Sequence, residues 1–323
     1  MRQLTVAGLF GVRPRTAVHN SCNLDVVDLF CGAGGFSTGA VAAGCRVILA
    51  CDSDEKAIET HRRNHPNTEH LVCELPSNLP LPADGRPFHL HGSPPCQRFS
   101  SVNKTNRSVG DVEDATNLVR WYLEYALASP ATSWSMEQVA APAVLKLVER
   151  IRLAHLDRMA YGVFDFSKLG VPQKRKRLIA GSPWLIAKLM REAEQQPRRS
   201  VRSAISKPRG SHLRSSCGWV KKKKVGNKWV YTPAGWNDFC RSIDDVAPTV
   251  VGRHALTWVR PSGVGGWHDV LTVLEAATLQ TFPPTYKWPA LKYVADAQIG
   301  NAVPPRVAEL MLRKPRMRHM DLG

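Results

Sequence analysis

The sequence predicts a doubly wound α/β fold with a mostly parallel sheet, followed by a smaller and less regular domain. Short apolar segments with strand character alternate with helical segments through the first half of the chain. The earliest strand runs into a glycine-rich turn and then a helix, which is the opening unit of many nucleotide-binding sheets. Strands are expected near 24–30, 46–51, 88–92, 132–136, 160–166 and 177–181, and helices near 36–43, 54–64, 115–128, 141–154, 273–279 and 305–312.

The first unit joins the apolar strand Val26-Val27-Asp28-Leu29-Phe30 to the turn Cys31-Gly32-Ala33-Gly34-Gly35-Phe36. Glycines in such a turn allow the backbone to approach a ligand closely. The dinucleotide fingerprint is not met, because Ser37 stands where a third glycine is expected. One strand later, Asp52 offers the carboxylate that binds ribose hydroxyls in such sheets, although it could equally cap the helix that begins near Asp54.

Cys96 is the most informative single residue, in the segment Gly92-Ser93-Pro94-Pro95-Cys96-Gln97. Proline fixes its own φ and restricts the residue before it, so a thiol after Pro-Pro is held on stiff backbone. The apolar residues before this segment place the cysteine just past a strand end, on a loop that suits a nucleophile. A buried structural cysteine is the commoner fate of a lone thiol, so the surrounding motifs must decide.

Six motifs, in order and at the right rough spacing, resemble those of the cytosine-C5 methyltransferases of DNA. The resemblance runs almost from end to end, and it is far more specific than any single match. It implies an S-adenosyl-L-methionine-dependent enzyme, with S-adenosyl-L-homocysteine as product, that methylates C5 of a flipped-out cytosine in a specific sequence of double-stranded DNA. The matching segments are Asp28 to Gly35, Pro95 to Gln97, Met136 to Val139, Gln173 to Arg177, Arg241 to Val250 and Gln298 to Pro305.

Catalytic roles follow from the resemblance. C5 of cytosine is a poor nucleophile, so the ring is first activated by a thiolate that adds to C6, and the resemblance assigns this step to Cys96. Glu137 is expected to hold N3, and Arg177 to contact O2. Arg175 is expected to brace the loop that carries the cysteine. The alternatives without a catalytic role are that Glu137 only caps or bridges at a strand end, and that Arg175 and Arg177 only contribute surface charge.

Cofactor contacts are implied in the same way. Phe30 is expected to stack near the adenine, Asp52 to bind the ribose and Glu74 to bind the adenine amino group, although the match around Glu74 is loose. Asn301 and Val303 are expected to close the pocket from the last motif. The full expected set is Asp28, Phe30, Gly32, Gly34, Asp52, Ser53, Glu74, Pro95, Asn301 and Val303.

One position departs from the family. The Glu-Asn-Val motif is here Glu137-Gln138-Val139, and the family asparagine is thought to brace the proline-cysteine backbone. Glutamine keeps the amide but adds a methylene, which can shift that loop. The sequence therefore predicts a working enzyme whose rate this change can lower, and which Gln138→Asn would speed up.

Charge predicts a polyanionic partner. The formal net charge is +17 and the isoelectric point is about 9.8. The run Lys221 to Lys224 lies between Trp219 and Trp229, and it is expected at the tip of a basic hairpin rather than in an ordinary solvated loop. The stretch Arg98 to Gly110 resembles the family's mobile loop, and 184–240 is expected to read neighbouring bases. The expected DNA contacts are Gln97, Arg98, Ser100, Lys104, Gln173, Lys221, Lys222, Lys223 and Lys224.

The expected domains are a catalytic and cofactor-binding domain at 1–183, a target-recognition domain at 184–285, and a C-terminal segment at 286–323 that returns to the first. The eight cysteines form no Cys-x-x-Cys pair, so reduced thiols without a metal are expected. No membrane span or signal peptide is evident, which favours an intracellular protein, in a prokaryote, a virus-infected cell or a nucleus. The resemblance implies a monomer. Two other functions stay open: a transfer-RNA methyltransferase, disfavoured because that branch's Cys-Phe-Thr signature is missing, and a weakly active DNA-binding homologue.

Overall fold

The computed structural model describes residues 24–82, 84–95, 109–215, 220–225, 228–233, 240–252, 256–259 and 270–314. The described strands are β1 Asp25–Leu29, β2 Arg46–Asp52, β3 Glu69–Val72, β4 Phe88–Gly92, β5 Ser133–Gln138, β6 Ala160–Asp165, β7 Lys176–Gly181, β8 His212–Ser215, β9 Val220–Val225, β10 Lys228–Pro233, β11 Cys240–Ser242 and β12 Leu256–Val259. The described helices are α1 Gly35–Ala42, α2 Glu55–Asn64, α3 Val109–Ala128, α4 Pro142–Leu153, α5 Pro183–Gln195, α6 Val201–Ala204, α7 Val273–Leu279, α8 Lys292–Asn301 and α9 Pro305–Leu312.

A seven-stranded sheet with the order β3-β2-β1-β4-β5-β7-β6 organises the molecule. Neighbouring strands from β3 to β5 pair in parallel, while β7 runs antiparallel to both β5 and β6. The predicted doubly wound, mostly parallel α/β fold is therefore confirmed. The strand order reverses between β1 and β4, and ligands of such sheets bind in the crevice outside the carboxyl ends at that point.

Both faces of the central strands are covered. Every residue of β1 and β4 is buried, as expected for parallel strands with helices on both sides. One face packs against α3 through Leu90 and Tyr122, and the other packs under α1 through Val26 and Phe36. This two-sided burial explains why β1 contains the apolar pair Val26-Val27, whereas β4 alternates apolar residues with buried histidines.

The last helix, α9, packs directly on α1, the helix that follows the glycine turn. A Cβ atom at Gly39 would lie 2.6 Å from the Cβ of Ala308, and one at Gly35 would overlap the carbonyl oxygen of Val303. Only glycine permits this approach of the two backbones. The C-terminal segment therefore shares a hydrophobic core with the first strand and the first helix.

A second hydrophobic core lies around the small antiparallel sheet β11-β8-β12 and contains the fully buried Trp258. The residues of the two hydrophobic cores do not separate at positions 184 and 286, the expected domain boundaries. Leu185 and Leu189 of α5 belong to the first core, whereas Tyr286 and Ile299 belong to the second. The expected boundary at 184 rests on the Ser, Arg, Pro and Gly-rich sequence with scattered tryptophans that extends from there to about 285.

The lysine run does not lie at a hairpin tip. Lys221 to Lys224 form the body of β9, which pairs antiparallel with β10 so that Lys224 faces Trp229 and Lys221 faces Thr232. Strand formation is favoured by the valines at both ends of β9 and by the Trp-Val-Tyr sequence of its partner. The hairpin itself is as expected, and residues 226–227, which join the two strands, lie outside the described residues.

Candidate active site at the carboxyl edge of the sheet

Four segments that the sequence singled out lie at the ends of four neighbouring strands, at one edge of the sheet. The glycine turn follows β1, Asp52 ends β2, Ser93-Pro94-Pro95 follows β4, and Glu137-Gln138 ends β5. Because these strands are parallel, their carboxyl ends meet at the same edge. The structure therefore brings together motifs that are far apart in the sequence.

The turn after β1 is a backbone cradle. Phe30, Gly32 and Gly34 all have positive φ, at 54°, 52° and 90°. The backbone N–H of Gly32 donates a 2.8 Å hydrogen bond to Oδ2 of Asp52, which fixes the turn against the next strand. A Cβ at Gly32 would meet no atom within 4 Å, so the turn opens onto free space, whereas one at Gly34 would lie 2.8 Å from the ring of His61.

Asp52 does not cap α2. The helix is capped by Asp54, whose carboxylate accepts from the backbone N–H groups of Lys56 and Ala57. Asp52 instead accepts from Gly32 and from the N–H of Asp54, and its burial raises the pKa of its carboxyl. Its carboxylate therefore stands beside the glycine cradle, where a ribose-binding group is expected.

Asp28 lies beneath the turn rather than in it. Its side chain is buried, and its Oδ2 accepts a 2.6 Å hydrogen bond from the hydroxyl of Ser37. Burial raises the pKa of Asp28 to about 7. Ser37, which breaks the dinucleotide fingerprint, also lies 3.0 Å from Nε2 of His61, so the residue that spoils the motif has a defined place in a buried polar chain.

Glu137 and Arg177 face each other across β5 and β7. Oε1 of Glu137 lies 3.1 Å from Nε of Arg177, and both side chains are largely buried. That oxygen makes no hydrogen bond to any described residue, because the angle of approach is unfavourable. An acid and a cation thus stand side by side at the strand end next to the Pro-Pro-Cys loop.

Gln138 braces that loop. Its Nε2 donates a 3.0 Å hydrogen bond to the carbonyl of Pro94, and its Oε1 accepts from the N–H of Val139 at 2.7 Å. The side chain is almost completely buried, so neither group has water as an alternative partner. Glutamine at this position therefore makes the contact with the proline backbone that the resemblance implies for asparagine.

Arg175 and Gln173 act deeper in the protein than their expected roles require. The Arg175 guanidinium donates to the carbonyls of Val250, Gly300 and Ala302, and it is 1% exposed. Gln173 is fully buried and bonds to α7 and to the N–H of Val250. Together the two residues tie the segments Arg241 to Val250 and Gln298 to Pro305 to the sheet, and in this conformation Gln173 offers no surface to DNA.

The remaining expected cofactor residues differ in exposure. Ser53 and Glu74 are exposed near the end of β2, and the N–H of Cys73 bonds to the carbonyl of Asp52. Asn301 is exposed at the end of α8, whereas Val303 is buried against α1. Phe30 packs edge-on against Trp121 with ring centroids 6.2 Å apart.

The nucleophile itself falls outside the described part. The structure describes the chain up to Pro95, which is exposed, and the following residues lie outside it. For the lysines of β9 the structure describes the backbone. The expected site residues beyond the described ranges are Cys96, Gln97, Arg98, Ser100 and Lys104.

Two residues of β4 and two of β5 were missed by the sequence analysis. His89 and His91 alternate on β4, Ser133 and Ser135 alternate on β5, and all four are buried. The available signal was polar residues at every second position of otherwise apolar strands, which places them on one face of the sheet.

The C-5 cytosine-specific DNA methylase family matches residues 24–182 and 266–315. The chain belongs to this family, and it is a DNA cytosine-C5 methyltransferase. Enzymes of this class generally depend on S-adenosylmethionine. Residues 183–265, which include β8 to β12, lie between the two matched stretches.

Curated relatives cover nearly the whole chain. The Type II methyltransferase M.HgiDI of Herpetosiphon aurantiacus is 26% identical over 326 residues, which span 93% of this chain and 98% of the relative. The Type II methyltransferase M.HindV of Haemophilus influenzae is 27% identical over 313 residues, or 88% and 94% of the two chains. The crystal structure of S. pombe Dnmt2 methyltransferase shares the fold, with a TM-score of 0.57 and 13% identity over 90% of this chain and 97% of that one.

In the part of the chain that the structure covers, no three His, Cys, Asp or Glu side chains are grouped so that they could hold a metal ion. Among the same residues, no helix is both long and apolar enough to span a membrane.

Proposed function

We propose that this enzyme methylates cytosine in a specific sequence of double-stranded DNA through a covalent adduct between Cys96 and C6, with S-adenosylmethionine as methyl donor. The observation that carries the proposal is the convergence of the glycine cradle, the braced Pro94-Pro95 backbone and the Glu137–Arg177 pair at one sheet edge. The Type II names of the relatives favour a role as the modification enzyme of a restriction system.

The cradle fits S-adenosylmethionine. Gly32 opens onto free space that a side chain would fill, and the Asp52 carboxylate stands beside it. Phe30 borders the same turn and offers an aromatic face for the adenine. When bound, the cofactor supplies an electrophilic methyl group. The residues proposed to hold it are Asp28, through its support of the turn, and Phe30, Gly32, Gly34, Asp52, Ser53, Glu74, Pro95, Asn301 and Val303.

The chain's own groups prepare the base. The Cys96 thiolate attacks C6, so that a sulfur–carbon bond forms, the C5–C6 double bond opens and charge moves towards N3 and O2. Glu137 hydrogen-bonds N3, and Arg177 faces O2. After C5 is methylated, its proton leaves, the sulfur–C6 bond breaks and the double bond re-forms. Arg175 contributes by holding the backbone of Val250, Gly300 and Ala302 against the strand that leads to Arg177.

DNA is proposed to lie across this edge of the sheet. The target base must be flipped out of the duplex to reach the cysteine, and the loop Arg98 to Gly110 is proposed to close over it. The basic ribbon of β9 and β10 belongs to the stretch between the two family matches, where sequence-reading elements are expected. A protein of this function works as a monomer in a compartment that holds DNA.

The direct test is transfer of labelled methyl from S-adenosylmethionine to unmethylated DNA and, separately, to transfer RNA. The proposal expects 5-methylcytosine in DNA, no product from Cys96→Ala, and an undiminished rate from Cys45→Ala, a buried cysteine in the core under α1. Label in RNA alone would assign the chain to the transfer-RNA branch. Salt-dependent DNA binding without label in either substrate would make it a binding homologue.

A further inference from the structure

A buried hydrogen-bonded chain of alternating serine and histidine side chains (the serine–histidine chain) runs along the sheet towards the loop that carries Cys96. Ser133 Oγ lies 2.8 Å from Nδ1 of His89, whose Nε2 lies 2.9 Å from Ser135 Oγ. Ser135 Oγ then lies 2.8 Å from Nδ1 of His91, whose Nε2 lies 3.0 Å from Ser93 Oγ. The chain ends on the residue immediately before Pro94-Pro95-Cys96.

This chain is built into the parallel pairing of β4 and β5. His89 is paired with Ser133, and His91 with Ser135, so the four side chains share one face of the sheet. Their exposed fractions are between 0% and 3%, so the hydrogen bonds among these four side chains do not compete freely with water. Each hydroxyl or ring nitrogen that lost its partner would be left unsatisfied in the interior.

Both histidines are neutral at physiological pH. Burial lowers the pKa of His89 to about 3, and burial together with the neighbouring His89 lowers the pKa of His91 well below its ordinary value. A neutral imidazole donates at one nitrogen and accepts at the other. The tautomer of each histidine is therefore coupled to the direction of the hydrogen bonds that its two ring nitrogens make along the chain.

The chain is also clamped from both faces of the sheet. The Phe36 ring stacks on His91 with a centroid distance of 3.5 Å and an angle of 2° between the planes. On the opposite face, a Cβ at Gly92 would lie 2.6 Å from ring atoms of Tyr122, whose hydroxyl donates to the carbonyl of Ser135. The segment from His91 to Ser93 is therefore held between α1, which follows the cofactor turn, and α3.

We propose that His91 and Ser93 are positioning residues that set the orientation of the Cys96 thiol. The Ser93 hydroxyl and the carbonyl of Pro94 are fixed from two sides, by His91 and by Gln138, so the prolines transmit one defined backbone direction to Cys96. This inference rests on the proposed role of Cys96 as the nucleophile. His91 acts through this loop and touches neither the base nor the cofactor.

The test compares variants that remove single links of the chain. Ser93→Ala deletes the last hydroxyl, and His91→Phe keeps a ring to stack on Phe36 while it removes both nitrogens. Ser182→Ala is the matched control, since its buried hydroxyl accepts from the N–H of Trp134 at the other end of β5 and has no connection to the loop. Ser93→Thr, which restores a hydroxyl, serves as the conservative rescue.

The measured quantity is the rate of covalent adduct formation on DNA that contains 5-fluorocytosine in the target site, because fluorine cannot leave C5 as a proton does. Ser93→Ala and His91→Phe are each expected to slow adduct formation roughly tenfold, the scale of one lost buried hydrogen bond. KM for DNA and for S-adenosylmethionine should stay within about twofold. The Ser182→Ala control should be less stable than wild type but should form the adduct at the wild-type rate. Ser93→Thr should recover most of the adduct rate that Ser93→Ala loses. The double variant His91→Phe/Ser93→Ala should be no slower than either single variant.

The possible failures are distinguishable. Wild-type protein that forms no adduct would overturn the role of Cys96 and the inference with it. Wild-type protein that forms the adduct, with Ser93→Ala equally fast, would leave the proposed function standing and reject the positioning role. Ser93 is only partly buried, so its alanine variant decides the question even where His91→Phe fails to fold.

Discussion

At the scale of single residues, the extra methylene of Gln138 decides which side chain can reach the backbone of the Pro-Pro-Cys loop. From sequence, glutamine looked like a defect next to Glu137, and Gln138→Asn was expected to speed the enzyme up. The 3.0 Å bond from Nε2 to Pro94 and the 2.7 Å bond from Val139 to Oε1 reverse that expectation. The longer side chain spans this distance, and asparagine would fall short by one carbon–carbon bond.

Gln138→Asn and Gln138→Ala are therefore both expected to lower kcat, by roughly tenfold or more, because the buried carbonyl of Pro94 loses its donor. Single-turnover methylation measures the effect, with Gln196→Asn as a control, since Gln196 lies at the end of α5 and bonds to Glu192. A faster Gln138→Asn enzyme would restore the interpretation that the glutamine is a defect.

Asp28 supplies a residue-scale test by pH. Its folded pKa is about 7 because burial disfavours the carboxylate, whereas its ordinary value is 3.8. The folded state therefore holds a proton that the unfolded state has lost, and this group's contribution to stability falls as the pH rises from about 4 to 7. Asparagine cannot titrate, but its side-chain carbonyl can still accept from Ser37.

Asp28→Asn is expected to gain stability relative to wild type as the pH rises through this window, on the order of a few kcal/mol in total. Urea unfolding at pH 5.5 and pH 8 measures the difference between the two proteins at each pH. Acidification also destabilises both proteins through their buried histidines, and this contribution cancels when the two proteins are compared at the same pH. A difference that is constant with pH would show that Asp28 is already ionised in the fold.

At the scale of elements, two glycines of the first unit separate cofactor binding from packing. Gly32 has a φ of 52° and free space beyond it, whereas Gly39 touches α9. Gly39→Ala is expected to lower the free energy of unfolding by about 1–3 kcal/mol, because overpacking forces α1 and α9 apart. Gly32→Ala should weaken S-adenosylmethionine binding more than tenfold at a smaller cost in stability, since a side chain occupies the cradle.

Thermal unfolding and cofactor titration of the same two variants check this pair. The account requires the larger loss of stability from Gly39→Ala and the larger loss of affinity from Gly32→Ala. The reverse order would show that the turn does not face the cofactor.

The ribbon β9 is the second element with a measurable role. Replacement of Lys221 to Lys224 by glutamine removes four charges from one strand. If these lysines meet phosphates, the slope of log affinity for DNA against log salt should become shallower by up to about 0.9 per contact. The variant Arg150→Gln with Arg152→Gln is the control, because these arginines lie at the end of α4 that points away from the carboxyl edge. Equal slopes for wild type and the lysine variant would remove β9 from the DNA interface.

At the scale of the whole molecule, the sheet was predictable because β1 and β2 contain short apolar runs and because strand-like and helical segments alternate along the first half of the chain. The cradle was predictable because its glycines and Asp52 are short-range features. The roles of Ser37 and of the histidine–serine chain were not, since they depend on which strands become neighbours. The deep placement of Arg175 and Gln173 was missed for the same reason, as their partners lie more than 70 residues away.

Identification of the peptide that becomes attached to DNA tests the proposed role of Cys96. Protein is incubated with S-adenosylmethionine and duplex DNA carrying 5-fluorocytosine at the target position, and the trapped complex is digested and analysed by mass spectrometry. The modified peptide is expected to contain Cys96, and Cys96→Ser is expected to form no complex. A trapped peptide that contains another cysteine, or methylated ordinary DNA from the Cys96→Ser enzyme, would contradict this role.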